Sequence, residues 1–300
     1  MKKEQFFGFL KAPFSRSFII SYLFSFFFLF SVPLLSHILS ALFRNIDMLK
    51  ATPEDEVSGV LITLLKDNID KGDLVWAGFG LLIGWILISS YSLLLTHKTA
   101  ASGKDVFDAE RLSLNLGDIL WAVPKFFGYS LLTLCAISFF IFVLGFVCIF
   151  GIVGAMKISV LLGILACILC IVASVYLFYK ILCYFLSFHV VFYKEFRVSC
   201  FFERQKINAF FKAKKKNILI SWLLFFVATQ MLYTLYGAIG KNLLQISVVA
   251  GMFFEALHVS NVIPIAAGML VWNFVFVYLT LLQAIVFGKI VVWIEKSKTE

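Results

Sequence analysis

The chain has 300 residues, 62% of them hydrophobic and 14% charged, with a formal net charge of +9. Soluble domains are roughly 45–50% apolar and about 25% charged, so these proportions exclude a fold built around one water-surrounded core. The bilayer is the solvent, and the basic excess is read as topology before it is read as a nucleic-acid footprint.

The N-terminal segment carries Lys2, Lys3, Lys11 and Arg16, followed by an apolar stretch over about 17–43. That stretch is much longer than the ~7–15 apolar residues of a signal peptide, so it predicts an uncleaved first span, kinked at Pro33. In the loop that follows, Thr52 is placed to N-cap a helix, Pro53 to open it, and Glu54 and Asp55 to sit in its first turn. Val57, Val60, Leu61, Leu64 and Leu65 then recur on one helical face. The spacing predicts an extracytoplasmic amphipathic helix over about 53–69.

A span needs about 20 apolar residues to cross roughly 30 Å of hydrocarbon. Five further stretches meet this, at about 74–95, 126–150, 158–180, 218–240 and 263–288. Gly80 and Gly84 in the second span form a G-x-x-x-G pattern that lets helices approach closely, within the fold or between subunits. The apolar run of the fourth continues through Ile181–Tyr193, which predicts a bend or an interfacial extension near Lys180, whose ammonium can reach the surface. Residues 241–262 fit either a re-entrant segment or one lying at the outer interface.

Basic residues orient the chain. Nineteen of the 26 Lys and Arg fall in the N-terminal segment, 96–125, 194–217 and the C-terminal tail, against six on the opposite side. The positive-inside rule then places both termini in the cytoplasm. Trp76, Trp121, Trp222 and Trp293 lie near the expected interfaces. The expected fold is an all-α integral membrane helical bundle of about six transmembrane helices, N-in and C-in, forming a single transmembrane domain over 1–300. Lys11-Ala12 and Lys212-Ala213, each followed by Ser-aromatic-Leu inside a span, and Trp121-Ala122 before the third, hint at three hairpins, each preceded by a cytoplasmic amphipathic segment.

No catalytic constellation, nucleotide loop or metal-binding spacing is present, and no cofactor is implied. The six cysteines, five of them in apolar runs, do not form a secreted disulfide framework. Cys167 and Cys170 share a helical face, but in hydrocarbon a thiolate is disfavoured and they read as packing residues. Glu255 and His258, three apart in an apolar neighbourhood, are the candidate intramembrane polar or proton site; an interfacial amphipathic helix is the plainer reading. Arg204, Lys206, Lys212, Lys214, Lys215 and Lys216 form the basic segment expected to contact anionic lipid headgroups. Nucleic acid is not an expected partner; membrane lipids are, with a membrane protein or a second copy of the chain as further possibilities.

Two stretches carry a family resemblance. Tyr91–Tyr129 combines a span, a basic turn at Gly103, the acids Asp105, Asp108 and Asp118, then Trp121. Val175–Phe226 combines a long apolar helix ending in Phe192-Tyr193-Lys194, the amphipathic Ile207-Asn208-Ala209-Phe210-Phe211, and Asn217 opening a span. The chain resembles prokaryotic multi-pass membrane proteins related to the glycerophosphodiester phosphodiesterase membrane domain, although the serine usual in the amphipathic piece is missing. The resemblance implies a membrane-embedded, non-catalytic protein of the cell membrane, in a bacterium the inner one, and carries over no catalytic residue. Three functions are weighed: a non-catalytic scaffold or accessory component of a cell-envelope system, a transporter or lipid-handling protein, and a membrane enzyme acting on lipid substrates.

Overall fold

The computed structural model describes residue 13 and residues 19–53, 56–102, 115–257 and 260–296, without the side chains of Leu65, Asn68, Leu244 and Glu255. Every regular element among them is helical: α1 (Ile19–Phe24), a 3₁₀ run (Ser25–Ser31), α2 (Val32–Arg44), α3 (Ile46–Ala51), α4 (Val57–Asn68), α5 (Lys71–Ser102), α6 (Leu116–Ile158), α7 (Val160–Glu195), a second 3₁₀ turn (Val198–Phe202), α8 (Arg204–Ala256) and α9 (Val262–Lys296). The protein is an all-α multi-pass membrane protein, with six helical segments long and apolar enough to cross a bilayer.

Two compact units are described separately. The first comprises the described residues within 1–95, 105–119 and 226–286. Its first span is not one smooth helix. Pro33, at the start of α2, cannot donate a backbone hydrogen bond, and its ring crowds the carbonyl one turn back; a seven-residue 3₁₀ run precedes it. Ser25 and Ser31 donate to the carbonyls of Tyr22 and Phe28, each at 2.6 Å. Gly80 of α5 lies on this irregular stretch: a Cβ there would fall on the Phe27 carbonyl oxygen and 2.6 Å from Phe30 Cβ. The G-x-x-x-G face is therefore used inside the fold. Val32, Leu39 and Ile265 form the apolar core nearby. Ser36 donates to Asn261 Oδ1, and Asn261 Nδ2 donates to Ser40 Oγ at 2.9 Å, tying α2 to the residue preceding α9.

The second unit comprises the described residues within 96–104, 120–225 and 287–300. Helices α6 and α7 make its hairpin. Only Ser159, extended at φ −160° and ψ 152°, separates them, and its hydroxyl accepts from Leu162 N at 3.1 Å. Gly163 allows the tight return, because a Cβ there would strike Met156. The helices outrun a bilayer: α6 has 43 residues, about 64 Å at 1.5 Å per residue, against roughly 30 Å of hydrocarbon. In the apolar middle of α6 no residue is buried, and in that of α7 only 6% are. Beyond Lys180 the chain stays helical. It runs on to Glu195, and Cys183, Leu186, Ser187, Phe188, Val190, Val191 and Phe192 are buried there. Leu186, Val190, Ala100, Ile218, Val291 and Ile294 form one apolar cluster, which absorbs the part of the run that exceeds a single span.

Helix α8 contains a break. Lys214 leaves helical geometry at φ −128° and ψ 18°, dividing an amphipathic first stretch, with Ile207 fully buried, from the apolar stretch that follows. This is the arrangement of pre-helix and span expected before the fifth apolar segment. The corresponding segment before the first span lies outside the described residues.

Candidate functional site

Helix α7 ends abruptly. Phe196 adopts the left-handed conformation, φ 52° and ψ 37°, and its N–H donates to Phe192 O. Glycine normally occupies such a helix end, since a Cβ there costs about 1–2 kcal/mol. Contacts of the Phe196 ring and carbonyl offset that cost. The ring is 2% exposed and stacks on His97 at 4.6 Å and 9°. The Lys125 ammonium donates to the Phe196 carbonyl at 2.8 Å and lies 3.1 Å from the Trp121 ring centroid. His97 Nδ1 donates to the Tyr193 carbonyl at 2.8 Å. The reversal at Phe196 sends the chain back along α7, where Phe201 packs edge-on against Phe188 at 5.1 Å and Tyr184 donates to the Phe201 carbonyl.

This return creates a groove of about 1190 Å³. One wall is the hairpin, with Ala136, Phe139, Phe140 and Val143 of α6 facing Leu177 and Ile181 of α7; the other is Phe201, Phe202 and Phe211. Four cations line it, Lys180, Arg204, Lys212 and Lys215, with Asn208 and no carboxylate among the lining residues. Lys180 sits 5.5 Å above the Tyr176 ring and Lys215 5.9 Å above Tyr179. From Val160 to Lys180 the helix rises about 30 Å, close to one hydrocarbon thickness. The groove thus lies one bilayer depth from the hairpin tip, with apolar walls and a basic rim.

The neighbouring carboxylates are already engaged outside the groove. Glu195 pairs with Arg197 at 2.6 Å and with Lys206, and Glu203 pairs with the same two cations, each at 3.2 Å. Lys194 pairs with Glu295 at 2.5 Å. Cys200, fully buried beside this network, has its thiol pushed up to about 11 by burial and by the charges of Glu195 and Glu203.

The six basic residues singled out in the sequence are therefore not equivalent. Arg204, Lys212 and Lys215 line the groove; Lys206 belongs to the ion-pair network, Lys214 donates to the Glu295 carbonyl at 3.5 Å, and Lys216 lies away from the lining. Lys180, read in the sequence as a snorkelling residue, joins them. The Glu255 side chain and all of His258 lie outside the described residues. A polar pair that sequence reading missed lies in the first unit, where His37 Nδ1 and Asp73 Oδ2 are 2.5 Å apart; nothing in their spacing links them. His189 Nδ1 donates to the Phe185 carbonyl at 2.6 Å. Among the described residues no cluster of His, Cys, Asp and Glu is able to hold a metal ion.

No protein-family model, curated protein or solved structure matches the chain.

Proposed function

We propose that the chain is a non-catalytic multi-pass protein of the cell membrane that holds membrane lipid at the cytoplasmic face. The groove between the α6–α7 hairpin and the start of α8 carries this reading. An apolar cleft at membrane depth fills with acyl chains, since no water there competes for it. A rim of Lys and Arg at the level of the headgroups attracts anionic lipid. The bias of Lys and Arg described above supports the cytoplasmic side for this rim, with both termini inside. In a bacterium that membrane is the inner one.

A second reading, an accessory component of a cell-envelope assembly, draws support from the middle of α6, where no residue is buried. Extraction in polymer nanodiscs followed by mass spectrometry of everything retained separates the two. A particle retaining one lipid class and no stoichiometric protein supports lipid handling. A stoichiometric protein partner without lipid enrichment overturns it in favour of the accessory reading.

A further inference from the structure

We infer that the groove selects a membrane lipid whose headgroup bears more than one negative charge, such as a phosphate monoester or diphosphate; this rests on the lipid-holding reading above. The separation of charges around the turn at 196–204 is the observation that carries it. Two carboxylates, Glu195 and Glu203, are available next to the groove, and both are engaged by Arg197 and Lys206 on its outside. Glu295 is engaged by Lys194. Inside, Lys180, Arg204, Lys212 and Lys215 line one cleft, and among the described residues none of them forms an ion pair with a carboxylate.

A phosphodiester lipid with a neutral headgroup brings one negative charge to four cations. A phosphate monoester brings nearly two, with three acceptor oxygens that several donors can share. The four donors suit such a headgroup. Arg204 presents a planar fork, Lys212 and Lys215 line the same groove from either side of the break at Lys214, and Lys180 approaches from α7. On the hairpin-tip side of Lys180 the groove is lined by Val143 and Leu177, with Phe139 and Phe140 beside it, and these receive acyl chains and not a second polar group. Free phosphate has no use for those walls, so the ligand is the lipid and not the ion.

The test is native mass spectrometry of the full-length protein in detergent, titrated separately with phosphatidate, phosphatidylglycerol, phosphatidylcholine and inorganic phosphate. Phosphatidate is expected to bind at least about fivefold tighter than phosphatidylglycerol, with phosphatidylcholine weaker again and inorganic phosphate failing to compete. Neutralising two groove cations together, Lys212→Gln with Lys215→Gln, is expected to weaken phosphatidate binding about twenty-five-fold, at roughly fivefold per charge. Lys206→Gln, which removes one charge from outside the groove, should change it less than twofold, against roughly fivefold for Lys212→Gln alone. Val143→Trp, which fills the groove on the hairpin-tip side of Lys180, should weaken all three lipids together. Equal affinity for phosphatidate and phosphatidylglycerol overturns the charge selectivity while leaving lipid holding intact. Loss of all lipid binding by the unmodified protein overturns both. An equal effect of Lys206→Gln and the groove variants overturns the site, and competition by millimolar phosphate overturns the lipid as its ligand.

Discussion

At Phe196 the usual order of glycine and alanine should invert. In helices and their flanks alanine is ordinarily preferred over glycine by about 1 kcal/mol, because glycine gives up more backbone entropy. Phe196 sits at φ 52°, where a Cβ costs about 1–2 kcal/mol and glycine escapes that cost. Both Phe196→Ala and Phe196→Gly remove a ring that is 2% exposed and stacked on His97, so both should be destabilised by about 3–5 kcal/mol. The two share that loss, and the difference between them isolates the backbone. Phe196→Gly should be the more stable by about 1 kcal/mol, or about 2–4 °C in melting temperature. Thermal melts of both variants in identical nanodiscs measure it. An alanine variant as stable as the glycine one, or more so, would refute the assignment of a strained left-handed helix end held by its side chain.

Four other outcomes follow from named contacts. Lys125→Met keeps the apolar stem but removes the ammonium from the Phe196 carbonyl and the Trp121 ring; a loss of about 2–4 kcal/mol is expected, and a double-mutant cycle with Trp121→Leu should show positive coupling. Gly80→Ala should cost about 1–3 kcal/mol through overpacking against Phe27 and Phe30, whereas Gly78→Ala, with nothing within 4 Å of its Cβ, should be neutral or slightly stabilising in the same melts. Asn261→Leu removes the hydrogen bonds to Ser36 and Ser40, at about 1–3 kcal/mol for two interhelical bonds; a neutral result would refute their contribution to packing α2 against the start of α9. Cys200, fully buried and with its thiol pushed up to about 11, should resist maleimide at pH 8 in the folded protein and react when the protein is unfolded. Because the folded value lies above the ordinary thiol value near 8.5–9, its contribution to stability is complete below that range and lost as pH rises through about 11, so melts between pH 8 and pH 11 should fall.

Composition and periodicity act locally along a chain, and what they determine here is local. Six apolar stretches, each too long for a soluble core, demand helices, because in hydrocarbon a backbone must satisfy its own hydrogen bonds. Pro33 marks the irregular first span for the same reason, by withholding a donor. Gly80 and Gly84 signal a close helix approach, and the tertiary structure shows that they meet the first span of the same chain. The basic segment announces itself by density alone. Which of its members act together is a different matter. Arg204, Lys212 and Lys215 differ from Lys206 only in where the turn at Phe196 directs them, and that turn rests on Lys125 and His97, distant in sequence. A left-handed phenylalanine has no sequence signature, since its cost is offset by contacts that exist only after folding. Charge pairing obeys the same limit: Lys180 and Lys215 are equally basic residues in sequence, and only three-dimensional proximity places them in one groove while Glu195 and Glu203 are taken up elsewhere.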